Sequence, residues 1–66
     1  MAETFAERLK RLRGVAALTQ FELAARAGVS IFTIRAWEIG RREPMAKPAR
    51  EVARVLNVTL DELVGK

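Results

Sequence analysis

The chain has 66 residues, enough for one small domain (1–66) and too few for two. It contains no cysteine and no histidine, which excludes a disulfide framework and leaves only carboxylates to bind a metal. We therefore expect no metal and no cofactor. Half of the residues are apolar, as a folded domain needs, and twelve basic against eight acidic residues give a net charge of +4, which favours a polyanionic partner.

The N-terminal stretch has no secretory signal pattern, because charged residues interrupt the apolar ones from Met1 to Leu12. No apolar run approaches the roughly 20 residues that a membrane helix requires. The chain offers no histidine, cysteine or tyrosine for acid–base or nucleophilic chemistry, and no glycine-rich phosphate loop. We expect a cytoplasmic protein that is not an enzyme, has no membrane partner and takes no small-molecule ligand.

The first predicted helix begins with a capping box, in which the hydroxyl of Thr4 and the carboxylate of Glu7 bond the free N–H groups of the first turn. Its apolar residues recur at spacings of three and four and form an inward stripe, namely Phe5, Leu9 and Leu12. Arg8 and Arg11 fall on the outer side. Gly14 falls in the last predicted turn, and the pattern leaves the end of this helix open.

Residues 20–39 contain two short helical patterns, the first of which follows a second capping box at Thr19. Only residues 28–30, Gly-Val-Ser, separate the two patterns, so the second helix must follow the first at an angle. The glycine stands where a helix ends in the left-handed conformation. Ile34 and Trp37, three residues apart, are predicted to face inward. This spacing is typical of a helix-turn-helix.

A fourth helix is predicted to start near Ala46 or Lys47, because Pro48 is tolerated only in a first turn. Asn57 is a suitable left-handed stop for it. A third capping box, at Thr59, opens a short fifth helix. No segment reads as a strand, and the fold class is therefore all-α, a compact five-helix bundle.

These patterns resemble the phage repressor and Cro type of helix-turn-helix, a family of small bacterial and phage transcriptional regulators. The resemblance runs from Leu9 to Val64 and implies a lambda-repressor-like bundle that binds double-stranded DNA. Ala17 departs from the family pattern, which has glycine there, and Met45 stands where the family prefers a serine or threonine cap. The residues that carry the resemblance are Leu9, Leu12, Arg13, Leu18, Gln20, Glu22, Leu23, Ala24, Gly28, Val29, Ser30, Thr33, Ile34, Trp37, Glu38, Gly40, Pro44, Leu56, Val58, Thr59, Leu60, Asp61, Glu62 and Leu63.

The resemblance implies a set of phosphate contacts. In the family the residue matching Gln20, at the start of the second helix, holds a phosphate oxygen, as the exposed N–H groups of a helix N-terminus also do. Arg41, Arg42 and Lys47 follow the third helix in a segment that the family lays along the DNA backbone. The alternative for all four is an ordinary solvated side chain.

Base contacts are expected from the outer face of the third helix, because a helix fits the major groove and presents its N-terminal half to base edges. The register places Ile31, Phe32, Thr33, Arg35 and Ala36 nearest the bases. Ile31 and Phe32 lack the hydrogen-bonding groups that many relatives carry, although apolar groups can contact thymine methyls. Arg35 is the one long donor on this face and the leading candidate for a guanine contact; its alternative is a phosphate contact or a free surface position.

One ion pair is also implied. An arginine and a glutamate at the positions of Arg13 and Glu38 commonly form a partly buried pair in the family. Arg13 follows the core-facing Leu12 at the end of the first helix, and Glu38 follows the core-facing Trp37. We therefore predict a direct, bidentate salt bridge that orients the third helix and cancels a negative charge on the DNA side.

The main hypothesis is a sequence-specific DNA-binding transcriptional regulator, a homodimer on a palindromic operator, nucleoid-associated in a bacterium or a phage-infected cell. Dimerisation is expected through Leu60 and Val64 of the fifth helix and the end of the fourth. The alternative is a helix-turn-helix scaffold, antitoxin-like or otherwise partner-binding, that contacts protein through an apolar patch of Phe21, Ile31 and Phe32. Phe21 and Phe32 could instead fold onto each other and cover the turn.

Overall fold

A computed structural model describes residues 2–65 and contains five helices, as predicted. No strand occurs in this range. None of the helices formed by residues 2–65 is both long and apolar enough to cross a membrane. The helices are α1 (Phe5–Val15), α2 (Gln20–Ala27), α3 (Ile31–Glu38), α4 (Ala46–Leu56) and α5 (Leu60–Val64).

The helix starts follow the local sequence signals. Complete capping boxes begin α1, α2 and α5, at Thr4, Thr19 and Thr59, each with reciprocal bonds to the glutamate three residues later. Ser30 caps α3 by accepting a 3.1 Å hydrogen bond from the N–H of Phe32. The side chain of Met45 makes no capping bond to α4, which nevertheless starts at the next residue, within the predicted range.

The end of α1, which the sequence left open, is formed by an alanine in the left-handed conformation. Ala17 has φ 57°. Its N–H donates to the carbonyl of Gly14 at 3.0 Å, and the N–H of Leu18 donates to the carbonyl of Arg13 at 3.2 Å. These two bonds are the Schellman motif that glycine usually completes. Asn57, at φ 59°, ends α4 as predicted.

The core lies between all five helices. α2 packs against α3 and α4, and α1 packs against α3 and α5. Trp37 is at its centre, with its ring 5.4 Å from that of Phe5 and inclined by 70°, an edge-to-face contact. The buried apolar residues are Leu9, Leu23, Ala24, Ala27, Ile34, Trp37, Ala49, Val52, Ala53, Leu56 and Leu63.

The segment before α1 is fixed by arginines of that helix. Arg8, expected on the outer side, instead donates to the carbonyl of Glu3 at 2.8 Å and to the carbonyl of Leu63 at 3.4 Å. Arg11 forms two hydrogen bonds with the Glu3 carboxylate, at 2.8 and 3.0 Å. Arg8 therefore connects the N-terminal segment to the last turn of α5.

Candidate nucleic-acid interface

The turn between α2 and α3 fixes the direction of the third helix. Gly28 adopts φ 68°, the left-handed conformation that glycine takes without steric cost. The next N–H, that of Val29, donates to the carbonyl of Ala24 at 3.1 Å, which reverses the chain directly after α2. Because only three residues separate the helices, α3 crosses α2 at an angle and presents one whole face outward.

The inner and outer faces of α3 have different compositions. Ile34, Trp37 and Glu38 are buried, as the sequence predicted for the first two. The outer face carries the five residues that the sequence analysis predicted to lie nearest the bases. Of these, Phe32 and Arg35 are exposed, and Ile31, Thr33 and Ala36 are half-buried.

The outer residues of α3 form two rows, each lining an open hollow. Ile31 and Arg35, four residues apart, line a hollow with Gln20 and Phe21 of α2. This hollow, here called the α2-side hollow, is completed by Arg13 and Thr19.

The second row lines a hollow on the other side of α3, here called the loop-side hollow. Phe32 and Ala36 are four residues apart and are joined there by Thr33 and Ser30. The remaining two residues of its wall are Arg41 and Arg42, from the segment after α3. The structure therefore brings together the predicted base contacts and most of the predicted phosphate contacts. Lys47, exposed in the first turn of α4, lines neither hollow.

Glu38 and Arg13 form a bidentate ion pair at the inner edge of this surface. Nε of Arg13 donates to one carboxylate oxygen of Glu38 at 2.7 Å, and Nη2 donates to the other at 2.9 Å. Nη1 of Arg13 also donates to the carbonyl of Leu18 at 2.9 Å. The Glu38 side chain is 1% exposed and that of Arg13 is 22% exposed. The pair therefore joins the end of α1, the start of the α2 region and the end of α3.

Gln20 adds a third donor to Glu38, a contact that the sequence did not indicate. Its Nε2 donates to Oε1 of Glu38 at 3.0 Å, across eighteen positions of sequence. No local pattern pairs these residues; the only available signal is that a buried carboxylate needs several donors. A primary amide has two N–H groups on its nitrogen, so one remains for another acceptor while the first holds Glu38.

These donors determine the charge of Glu38. Burial raises the pKa of the Glu38 carboxyl, but hydrogen bonds from Arg13 and Gln20 and the positive charge of Arg13 outweigh it and hold the pKa below its ordinary value. Glu38 is therefore an ionised carboxylate whose charge is neutralised by its partner. Among residues 2–65, all charged residues that line the two hollows are arginines.

Two aromatic side chains stand out from this cationic surface. Phe21 is 71% exposed and Phe32 is 73% exposed. These values contradict the possibility that the two rings fold onto each other and cover the turn. Ile31 differs, because it is half-buried and packs against the core. The apolar patch thus consists of two exposed rings and one partly buried aliphatic side chain.

Comparison with known proteins agrees with this arrangement. Residues 9–63 match the model of the helix-turn-helix family. The chain is 37% identical over 60 residues to the uncharacterized HTH-type transcriptional regulator YqaE of Bacillus subtilis (strain 168), covering 91% of this chain and 52% of that relative. It is 39% identical over 56 residues to an uncharacterized HTH-type transcriptional regulator of Archaeoglobus fulgidus, covering 85% of this chain and 79% of the relative.

The chain thus spans about half the length of the Bacillus relative. The family match covers most of the chain, including all of α2 and α3. The chain therefore belongs to the helix-turn-helix family of the Cro/C1 type, whose members are DNA-binding transcriptional regulators.

Proposed function

We propose that residues 1–66 act as one DNA-binding domain of a sequence-specific transcriptional regulator, which binds a palindromic operator in double-stranded DNA as a homodimer. The observation that carries this proposal is the positive charge on both sides of the outer face of α3. Arginines line both of its hollows, and the nearby carboxylate of Glu38 is paired. Such a surface attracts phosphates on either side of a groove while α3 faces the bases.

In this proposal the phosphate contacts are made by Gln20, Arg41, Arg42 and Lys47. Gln20 uses the amide hydrogen that Glu38 leaves unoccupied, at the N-terminus of α2, where backbone N–H groups and the helix dipole also favour an anion. The two loop arginines are exposed at the edge of the loop-side hollow, so they can reach phosphates without distorting the fold.

Base recognition in this proposal comes from the outer row residues of α3. Arg35 is exposed and long enough to donate two hydrogen bonds to the O6 and N7 acceptors of guanine. Thr33 offers a hydroxyl that both donates and accepts. Ile31, Phe32 and Ala36 contribute apolar contacts. The pair of Arg13 and Glu38 acts indirectly, by fixing the end of α3 against α1 and removing a negative charge from the DNA side.

Dimerisation is proposed because one α3 reads only a few base pairs, whereas two copies about 34 Å apart read successive turns of the same groove. Leu60 and Val64 of α5 are half-buried and line a hollow with Phe5, Ala46 and Ala49; Pro44 and the carboxylate of Glu43 complete its wall. A second copy of the chain would cover this hollow. Regulation would then follow from occupancy, with bound protein blocking or recruiting polymerase on the nucleoid in the cytoplasm.

The exposed rings of Phe21 and Phe32 favour a second candidate function, a scaffold that binds a protein partner through this patch. One experiment separates the two. Selection of bound sequences from a random pool of double-stranded DNA should enrich a palindromic motif, and binding to that motif should weaken steeply as salt rises. The absence of any enriched DNA sequence would favour the protein-binding scaffold.

A further inference from the structure

We propose that Phe32 reads the C5-methyl group of a pyrimidine in the major groove, so that binding depends on methyl groups as well as on hydrogen bonds. This inference rests on the proposed DNA-binding function and names the chemical group that the outer face of α3 selects. It arises from the side chains themselves: the first two residues of α3 are isoleucine and phenylalanine, and neither can donate to or accept from a base edge.

The exposure of Phe32 shows that the fold does not account for this residue. At 73% exposure its ring contributes little to the core, whereas Ile34 and Trp37 on the opposite face are fully buried. The ring lies in the N-terminal half of α3, the part of a recognition helix that faces base edges. It also lines the loop-side hollow together with Arg41 and Arg42, so a phosphate held by either arginine would bring the bases next to the ring.

The major groove contains one apolar group that matches such a ring. Each base pair presents hydrogen-bond donors and acceptors there, and thymine alone among the four unmodified bases adds a methyl group, at C5. A phenylalanine placed over the other bases would displace water from donors and acceptors without replacing the lost hydrogen bonds, which costs free energy. Placed over a methyl group, it buries apolar surface on both sides. The ring of Phe32 would therefore select for a base that carries the methyl group and against one that lacks it.

The charged surroundings favour DNA over a protein as the source of this apolar contact. All charged side chains on the walls of the two hollows, as far as residues 2–65 are concerned, are arginines. A partner that fits must place an apolar group between closely spaced anions, as methylated pyrimidines lie between the phosphates of two strands. A protein partner would need acidic side chains at matching positions around its apolar group, whereas the DNA backbone supplies phosphates at regular spacing.

Two pyrimidines supply the same methyl group at the same position in the groove, thymine and 5-methylcytosine. They differ in the neighbouring exocyclic group, an acceptor oxygen in thymine and a donor amino group in cytosine. The hydroxyl of Thr33, in the same hollow as Phe32, can serve as donor or acceptor and so fits either base. The shared chemistry is the C5-methyl, and the experiment must identify its source.

The test uses the sequence enriched from a random DNA pool, synthesised in matched forms. Each thymine in the motif is replaced singly by deoxyuridine, which removes only the methyl group. At a contacted position the wild-type protein should bind about fourfold more weakly, the equivalent of about 0.8 kcal/mol for one buried methyl group. A second series replaces each cytosine by 5-methylcytosine, and a gain of similar size identifies methylcytosine as the source.

Two variants show whether Phe32 is responsible. In Phe32→Ala the ratio between methylated and unmethylated DNA should fall to about one, and circular dichroism should show an unchanged fold because the ring is exposed. In the matched control Arg41→Ala both affinities should fall while their ratio stays near fourfold. This comparison also controls for any effect of deoxyuridine on DNA shape, since such an effect would persist in Phe32→Ala.

The outcomes distinguish this inference from the proposed function. If DNA is enriched but neither series changes the affinity of the wild-type protein, the methyl inference is overturned and the DNA-binding function stands. A ratio that persists in Phe32→Ala also overturns the assignment to this residue. If no DNA sequence is enriched at all, the proposed function fails first, and the patch is assigned to a protein partner.

Discussion

The guanidinium of Arg13 holds both carboxylate oxygens of Glu38, at 2.7 and 2.9 Å, and this pair joins the end of α1 to the end of α3. The Glu38 side chain is almost completely buried, and Gln20 donates to the same carboxylate. Removing one partner of such a pair leaves the other charge partly desolvated, a larger cost than the ~0–1 kcal/mol of an exposed pair.

We therefore expect Arg13→Ala and Glu38→Ala each to lower the free energy of unfolding by about 1–3 kcal/mol. The double variant should lose clearly less than the sum of the two single losses, because the second substitution removes a charge that is already unpaired. Urea unfolding followed by circular dichroism measures the free energy of unfolding of the wild-type protein, the two single variants and the double variant. Additive losses would show that the two residues stabilise the fold independently.

The depressed pKa of Glu38 predicts acid sensitivity. The folded state holds this carboxyl below its ordinary value of 4.5, so on acidification the unfolded state takes up its proton first. The stabilisation is complete above about pH 4.5 and is lost as the pH falls through the pKa of the folded state. Below pH 4.5, the melting temperature should therefore fall less steeply in Glu38→Gln than in the wild-type protein.

A companion variant tests the cause of this acid dependence. In Gln20→Ala one of the donors that lower the pKa of Glu38 is missing, so the folded-state pKa moves closer to the unfolded value. The acid-dependent loss of stability should therefore be smaller and should be complete at a higher pH than in the wild-type protein. Thermal melts at a series of pH values give both results. Identical acid profiles for the wild-type protein and Glu38→Gln would contradict the role of this carboxyl. Glu7 and Glu22, whose pKa values are lowered by their capping bonds, explain why some acid dependence must persist.

The loop arginines are expected to bind phosphate without reading sequence. Arg41→Ala and Arg42→Ala should each weaken binding to specific and non-specific DNA by similar factors, and each should lower the slope of log affinity against log salt by about one unit. Arg54→Ala is the matched control, because Arg54 is an exposed arginine on α4 that pairs with Glu51 at 3.0 Å and lines neither hollow. The control should leave the slope unchanged.

Arg35 should behave differently from the loop arginines if it contacts guanine. Arg35→Ala is expected to cost roughly 1–3 kcal/mol on the selected sequence and to relax the preference at one base position. Affinity for non-specific DNA should change much less. A uniform loss on all sequences would assign Arg35 to a phosphate instead.

The end of α1 carries an alanine and a glycine in each other's favoured positions. Ala17 has φ 57°, which is strained for a residue with a Cβ atom, whereas Gly14 lies inside the helix with space for a Cβ. Ala17→Gly should therefore stabilise the protein by about 0.5–1 kcal/mol, the relief of strain minus the added entropy of the unfolded chain. Gly14→Ala should stabilise by a similar amount, about 0.5–1 kcal/mol.

Each kcal/mol raises the melting temperature of a domain of this size by roughly 4–8 °C, so thermal melts resolve both changes. Gly28→Ala provides the control, because it introduces the same methyl group at φ 68° and should destabilise. A neutral or destabilising Ala17→Gly would contradict the strain at the end of α1.

The dimer prediction concerns the hollow beside α5. Val64 lines this hollow and is half-buried, and an aspartate there would bury an unpaired charge in the proposed interface, whose wall already holds the carboxylate of Glu43. We expect the wild-type protein to self-associate, Val64→Asp to remain monomeric, and the control Val15→Asp to behave as wild type, because Val15 is 79% exposed at the end of α1. Sedimentation measures all three. A wild-type chain that stays monomeric at high concentration and on DNA would contradict the dimer.

Local signals in the sequence predicted most of the helix boundaries. The capping boxes at Thr4, Thr19 and Thr59 could be predicted from the sequence because the groups that form each box lie within four consecutive residues. The start and the end of α4 could also be predicted, because Pro48 is tolerated only in a first turn and Asn57 favours a left-handed stop. The end of α1 at Ala17 could not be predicted in this way, since alanine has no preference for the left-handed conformation that the chain adopts there.

The contacts that the sequence did not indicate are long-range. Gln20 and Glu38 are eighteen residues apart, and Arg8 and Leu63 are 55 apart, so no short pattern pairs them. Their contacts follow from how α1, α2, α3 and α5 pack. The exposure of Phe21 and Phe32 likewise depends on the shape of the surface around the turn and could not be decided from helical periodicity.

Trp37 is the chain's single tryptophan, and the chain has no tyrosine. Because this indole is 1% exposed and rests edge-on against Phe5, the ultraviolet emission of the protein comes from one buried point on the inner side of α3. Its emission should shift to longer wavelength when α3 separates from α1. DNA bound on the opposite side of α3 should leave that wavelength unchanged. The helix α3 therefore carries an intrinsic optical reporter, which should respond to unfolding and not to the binding of DNA.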